Sequence, residues 1–347
     1  MPTRLRLGMI GVGEIAYKAT AKSIRNSERT EMVVAMDVVE DVAKSFADEY
    51  DTEWTTSIEE VLGREDVDAV VISTPHNLHS PQAIQAAAAG KHAMVEKPIA
   101  CTMAQADAMI EACKQANVVL TVALVSRYSP AAVKAKELVE AGAIGDVIAI
   151  RFTAAGDKAD SYWTGGFTGR VQTMWRKSKE ESGGGILIMN LVHDIDRLRY
   201  ITGLEATRVY AEGGTFCTDV EVEDFISVTL RYENGAVGNM LASSCARGGR
   251  GPGNRIYGSH GQIVFEGRSG IQVYTTKDVP GLTSGEWTEV ERESVDGRAL
   301  ALDRFAAAVL DGEPVDIPGE EGRKTLEVIV AAYESAESGE PVVLSGD

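Results

Sequence analysis

Leu5-Arg6-Leu7-Gly8-Met9-Ile10-Gly11-Val12-Gly13-Glu14-Ile15-Ala16 decides the fold. A short apolar run leads straight into Gly-x-Gly-x-x-Ala, and helical periodicity follows, so the stretch reads as strand, tight turn and helix. In that setting Gly11 permits the turn and Gly13 lets backbone approach a pyrophosphate. Ala16 lets helix and strand pack closely, and the helix N-terminus attracts phosphate charge. Glycine-rich turns also arise merely to reverse a chain, but a strand before and a helix after make this one a dinucleotide turn. Gly11, Gly13, Glu14 and Ile15 are expected on the cofactor.

Outward from that turn, short β-branched runs alternate with amphipathic helices: Met32–Met36, then Asp41–Tyr50; Ala69–Ile72, then a helix to Gly90; His92–Val95, then a helix from Met103; Val118–Val122, then Pro130–Ala141. Such alternation marks βαβ units and a doubly wound parallel sheet. Around Gly142–Asp146 the pattern changes to longer strands joined by turns. Phe225–Tyr232 and Ala236–Ser243 flank Glu233-Asn234-Gly235, where Asn-Gly predicts a type I′ hairpin. The expected architecture is α/β: a Rossmann domain over residues 1–125 and an α+β domain with an open, mostly antiparallel sheet over 126–347. One helix is expected from about Gly185 to Tyr200. Two more, Ala299–Leu310 and Gly322–Ser338, are expected to pack back across the domains.

The chain has 347 residues, and 34 Lys+Arg against 52 Asp+Glu give a formal net charge of −18. That field repels phosphate backbones and anionic lipid, so neither nucleic acid nor a membrane surface is an expected partner. The long uncharged stretch Ala69 to Gly90 holds Pro75, Asn77, Pro81, Gln82 and Gln85, a poor bilayer span. Cys101, Cys113, Cys217 and Cys245 are scattered without zinc-type spacing. They read as reduced thiols of a cytoplasmic protein, no metal is expected, and the start lacks a signal peptide's apolar region.

Three further stretches carry chemistry. Asp37 ends the second strand about 20 residues after the glycine turn, where an acid accepts ribose hydroxyls; an ordinary turn aspartate is the alternative. Only Val38, Val39, Glu40 and Asp41 follow it, which favours NAD over NADP. Ser73-Thr74-Pro75-His76-Asn77-Leu78-His79 lies past a strand's carboxyl end and reads as cofactor wall, with Ser73, Thr74, Pro75, Asn77 and His79 as contacts. Its histidines can otherwise serve as loop hydrogen-bond partners. Glu96-Lys97-Pro98 follows another strand, so Glu96 and Lys97 face the same edge. A lysine there can bind a substrate hydroxyl and relay its proton, whereas a surface Glu-Lys pair is the bland account. In Gly183-Gly184-Gly185…Asn190-Leu191-Val192-His193-Asp194-Ile195-Asp196, helical spacing puts Asn190, His193 and Asp194 on one face, with Asp196 placed to orient the imidazole.

Together, Gly-x-Gly-x-x-Ala, Asp37, Ser73-Thr74-Pro75 with His79, Glu96-Lys97-Pro98 and the triple-glycine His193-x-x-Asp196 helix resemble the glucose–fructose oxidoreductase / inositol dehydrogenase / rhizopine-catabolism (Gfo/Idh/MocA) family over essentially the whole chain. The resemblance implies hydride transfer between a nicotinamide cofactor and a sugar or cyclitol carbinol, with Lys97 as catalytic lysine and His193 as substrate-contacting acid/base. It also implies an oligomer, dimer or tetramer, paired through the second domain. Many relatives carry Asp or Asn four residues before the histidine; here Met189 stands there, and Asn190 lies about 100° further round an α-helix. Arg127-Tyr128 resembles the family's Arg-aromatic pair near substrate, with a loop cation packed on an aromatic as the alternative.

Within the second domain's range runs Gly156 to Gly184, long and irregular, with Trp163, Trp175 and Arg176 among glycines. Its aromatic faces and guanidinium are expected to meet a sugar ring, or else to anchor a subunit interface. Two other functions remain open at this point: a sugar- and NAD-binding regulator without turnover, and a glycosidase that uses NAD transiently.

Overall fold

The computed structural model describes residues 4–166, 169–248, 253–267, 270–291 and 293–344. The chain divides into two compact units. The first joins Met1–Leu124, Ala159–Gly184 and Arg298–Leu326; the second joins Val125–Lys158, Gly185–Gly297 and Glu327–Asp347.

Six parallel strands form the first unit's sheet: β1 (Leu5–Ile10), β2 (Thr30–Met36), β3 (Glu53–Thr55), β4 (Ala69–Ile72), β5 (His92–Val95) and β6 (Leu120–Val122). Their order is β3-β2-β1-β4-β5-β6, so the winding reverses between β1 and β4. All four residues of β4 are buried, as both faces of a covered parallel sheet require. At the reversal the two carboxyl-end loops meet: Gly11 N–H donates to Met36 O at 2.9 Å, and Ser73 N–H to Ile10 O at 2.8 Å. This crevice is where open α/β sheets take ligands.

Three later features complete this unit. The β6 edge is closed by residues 317–318, since Val122 N–H and the Thr121 hydroxyl both donate to Ile317 O and Thr121 bridges Pro318. Helix Gly297–Leu310 is tied down by Ser27 Oγ donating to Asp303 at 2.6 Å. Ala159–Gly184 joins the unit as well, with the Arg170 guanidinium 4.2 Å over the Tyr17 ring and bonded to Val42 O.

The second unit carries a nine-stranded sheet: β7 (Val147–Ala155), β8 (Ala206–Gly214), β9 (Phe225–Tyr232), β10 (Val237–Ser243), β11 (Asn254–Gly258), β12 (Gly261–Glu266), β13 (Gly270–Thr275), β14 (Trp287–Glu291) and β15 (Val342–Val343), in the order β14-β13-β12-β11-β7-β10-β9-β8-β15. Among the described residues β7 and β10 pair in parallel and the other neighbours run antiparallel. In β9, Ile226, Val228, Leu230 and Tyr232 are buried while the residues between them are not, so one face packs.

Two local expectations are corrected. The β9–β10 hairpin is present, but of its turn residues only Gly235 has positive φ (87°), whereas type I′ needs it at two positions. The loop spans Glu233-Asn234-Gly235 as expected, with Asn234 Oδ1 accepting Ala236 N–H at 2.9 Å. Neither glycine-led helix is a regular α-helix from its start. Ala16–Thr20 is a π turn before α-helix Ala21–Asn26, and Leu187–Leu191 is a π turn before α-helix Val192–Thr202. Each admits one extra residue per turn directly after a glycine loop, a distortion common at functional sites.

Candidate active site

The glycine turn is shaped by crowding on one side and space on the other. Gly11 has φ +83°, and a Cβ there would stand 2.8 Å from Thr74 Cγ2 and 2.9 Å from Ser73 O. A Cβ on Gly13 would meet nothing within 4 Å. That open side, with Ser73 Oγ and Asn77 Oδ1 buried and lacking a hydrogen-bond partner among the described residues, fits a phosphate-bearing cofactor.

Asp37 braces the turn. Its Oδ2 accepts Val12 N–H at 3.1 Å and its Oδ1 accepts Val39 N–H at 3.0 Å. A carboxylate has about four acceptor sites, so capacity for a ribose diol remains. Glu14 is half-buried against Gly166, Ile15 is exposed, and the Thr74 hydroxyl donates to Gln82 at 2.6 Å.

His79 departs from the cofactor-contact expectation. It is fully buried, and both ring nitrogens face carbonyls, Nδ1 that of Pro98 at 2.8 Å and Nε2 that of Thr74 at 3.0 Å. The imidazole therefore braces the Thr74 loop against the Lys97-Pro98 turn, and no ring nitrogen is left for a cofactor. Burial lowers its pKa despite those carbonyls. A neutral ring can donate to only one of them.

The Lys97 turn is held from several sides. Glu96 is buried and accepts from the Arg298 guanidinium. His76, one helical turn before His79, is buried with its ring 4.5 Å from Trp175, and its Nδ1 donates to Ser182 O at 2.7 Å. Because a carbonyl only accepts, Nδ1 carries the proton and Nε2 presents a lone pair. Burial first, with the nearby charges of Lys97 and Arg176 adding to it, drives the His76 pKa well below its usual value. Lys97 therefore lies within electrostatic reach of both imidazoles.

Within Gly156–Gly184 the aromatic residues divide. Trp163 is 2% exposed and edge-on to Tyr162, so its expected role as an open ring face gives way to core packing. Trp175 is half-buried between His76 and the Arg176 guanidinium, which lies 4.6 Å over its ring.

In the second unit, the His193 helix hangs from Glu223. The Glu223 carboxylate accepts Gly185 N–H at 2.6 Å, Leu187 N–H at 2.9 Å and the Tyr333 hydroxyl at 3.0 Å. A Cβ on Gly185 would lie 1.9 Å from Glu223 O, so only glycine fits. His193 and Asn190 are half-buried, and the intervening π turn removes the α-helical spacing on which their shared face was argued.

Asp196 also departs from expectation. Fully buried, it takes the Arg127 guanidinium with contacts of 2.6, 2.9 and 3.1 Å. Its carboxylate thus serves Arg127, and Arg127 in turn is a buried structural cation rather than an open hydroxyl donor. Tyr128 packs against Gly297. Sequence reading overlooked Arg298, Glu223 and Tyr333, whose partners stand far away along the chain and carry no local signature. His76 had one, its place in the Ser73–His79 loop.

A doubly wound sheet with an open glycine turn, an acid at the second strand's end and a lysine turn on the same sheet edge defines an NAD-binding oxidoreductase domain. The NAD-binding Rossmann model of the Gfo/Idh/MocA oxidoreductases matches residues 5–124, and the C-terminal domain model matches residues 132–264. The chain belongs to the Gfo/Idh/MocA family, and its cofactor is NAD(H). It is 28% identical to scyllo-inositol 2-dehydrogenase (NAD(+)) of Bacillus subtilis (strain 168), over 99% of this chain and 97% of that one. Myo-inositol 2-dehydrogenase of Thermotoga maritima is 29% identical, over 98% of each. Levoglucosan dehydrogenase, solved with NADH and levoglucosan, aligns with a TM-score of 0.87 at 27% identity, covering 98% of this chain and 99% of that one. Among the described residues no helix is long and apolar enough to cross a membrane.

Proposed function

We propose that this chain oxidises a hydroxyl carbon of a sugar, sugar acid or cyclitol, or reduces the matching carbonyl, with NAD preferred over NADP. The observation that carries the reading is the held Lys97 turn. Glu96 is pinned by Arg298 and Pro98 by His79, which keeps Lys97 at the carboxyl end of β5, on the sheet edge that also bears the glycine turn. The named relatives, which act on inositols and levoglucosan, supply the substrate class.

Bound NAD supplies the hydride acceptor. Gly11, Gly13 and the first helix turn would hold its pyrophosphate, and Asp37 its ribose. Lys97, as the neutral amine, binds the substrate hydroxyl and takes up its proton to become the ammonium, and His193 is the second member of the relay. Neutral His76, with a free lone pair on Nε2, keeps the positive charge near Lys97 from being doubled.

A panel of polyols, sugars and sugar acids assayed for reduced nicotinamide tests this. Turnover of at least one compound, saturable in NAD, is expected. Binding of ligand and NAD without turnover by any compound would instead favour a regulator. Aglycone release without net NADH would favour a glycosidase.

A further inference from the structure

Apart from the site above, the loop between β8 and β9 of the second unit brings two thiols together. Cys217 Sγ, Cys245 Sγ and a carboxylate oxygen of Asp224 all lie within 4.8 Å of one another. Asp224 is fully buried and organises the loop: Oδ1 accepts Phe216 N–H at 2.9 Å, and Oδ2 accepts Cys217 N–H at 2.7 Å, Thr218 N–H at 2.9 Å and the Thr218 hydroxyl at 2.9 Å. These four donors, with the Cys245 thiol as a further one, commit the Asp224 carboxylate to anchoring the loop.

Cys245 is fixed from the other side. Its N–H donates to Ser243 Oγ at 3.0 Å, and its backbone bridges Asp157. Cys217 is exposed and Cys245 half-buried, and both open on a cavity of ≈ 470 Å³ shared with Ala155, Phe225 and Leu241. The other two cysteines, Cys101 and Cys113, are buried.

We propose that Cys217 and Cys245 are a redox-closable dithiol, which a low-molecular-weight disulfide oxidises to an intramolecular disulfide and a low-molecular-weight thiol reopens. Cys217, the accessible partner, releases its proton, and its thiolate attacks one sulfur of the oxidant RSSR, expelling RS⁻ and leaving a mixed disulfide. Cys245 then releases its proton and attacks the Cys217 sulfur, expelling the second RS⁻. Two protein S–H bonds are lost and one S–S bond is formed. The two electrons and two protons end on two RSH. Burial, then hydrogen bonds with Cys217 and Asp224, push the Cys245 thiol up, so it is the slower thiol to ionise and attacks second. The bridge would tie the loop to the end of β10, next to Glu223, the residue from which the His193 helix hangs.

The full chain is incubated with excess oxidised glutathione, alkylated and digested. The expected result is an intact mass lower by about 2 Da, a cross-linked Cys217–Cys245 peptide and reversal by dithiothreitol. Alkylation of those two thiols is lost, and that of Cys101 and Cys113 in the unfolded protein is not. Cys245→Ser should stop at one glutathione on Cys217 while keeping the wild-type circular dichroism spectrum. A wild-type chain that stops at that same adduct, or cross-links between two chains, overturns the proposal. So does protection of both thiols by stoichiometric zinc, which would assign the cluster to a cation.

Discussion

The Arg298 guanidinium donates to the Glu96 carboxylate across 202 residues of chain, and both side chains are buried. The residue after Glu96 is Lys97. A group from the third segment of the first unit therefore sets the anchor for a turn made by the first segment.

Arg298→Leu strands a buried carboxylate and should cost about 3–5 kcal/mol of stability, while Arg298→Leu combined with Glu96→Leu should cost much less than the two single changes summed. Denaturant unfolding of the four proteins measures this. Additive single effects would mean that the two groups do not act as a pair.

NAD should bind at least about tenfold better than NADP, about 1.4 kcal/mol, because a 2′-phosphate meets the Asp37 carboxylate with Glu40 and Asp41 next along the chain. Asp37→Ser should narrow the gap. Equal affinities for the two cofactors in wild-type titrations would remove the Asp37 assignment.

Lys97→Ala and His193→Ala should each lower kcat by about 10²–10⁴ at near wild-type NAD affinity, the range for losing a general acid or base. The relay assignment fails for whichever variant keeps more than half of wild-type kcat while chemistry is rate-limiting.

Acid should destabilise the fold through buried imidazoles. His76 and His79 stay neutral in the folded protein, while an unfolded histidine takes up a proton near pH 6.5. Below that pH the unfolded chain holds more protons, so stability falls as pH drops through about 6.5 towards the folded values, and their contribution is flat above it. His76→Asn should reduce the slope by up to about 1.4 kcal/mol per pH unit. A slope equal to wild type would show that His76 titrates alike in both states.

Trp163→Ala should behave as a core truncation costing about 3–5 kcal/mol, with substrate ranking kept. Trp175→Ala, which uncovers His76, should instead reorder kcat/KM among polyols at constant sedimentation. A change of assembly state at constant ranking would make Trp175 an interface residue.

Features written within one element and its turn were legible in the sequence. The strand Leu5–Ile10, the turn Gly11-Val12-Gly13 and Asp37 at the end of β2 follow from period and spacing alone, and so does the β9–β10 hairpin. What stayed hidden depends on partners brought together by the fold. Arg298 gives no sign that it serves Glu96, nor Glu223 that it caps Gly185 and Leu187. Asp196 sits at the right helical interval to orient His193, yet a guanidinium 69 residues earlier in the chain competes for its carboxylate and binds it with three contacts. The π turns escaped for another reason: no residue type in Ala16–Thr20 or Leu187–Leu191 marks an inserted residue, yet the insertion rotates every side chain after it round the helix.

The three-part first unit has a consequence for synthesis. All six strands of its sheet lie within the first 124 residues, but Ile317, which closes the β6 edge, and Arg298, which pairs with Glu96, leave the ribosome more than 170 residues later. Until then the nascent sheet carries an open strand along Leu120–Val122, the kind of edge that recruits other chains. A Rossmann half cut after Leu124 keeps that edge permanently. The nucleotide domain is therefore completed late, when residues 298–326 arrive, and β7 to β14 of the second unit's sheet have to be made while it waits.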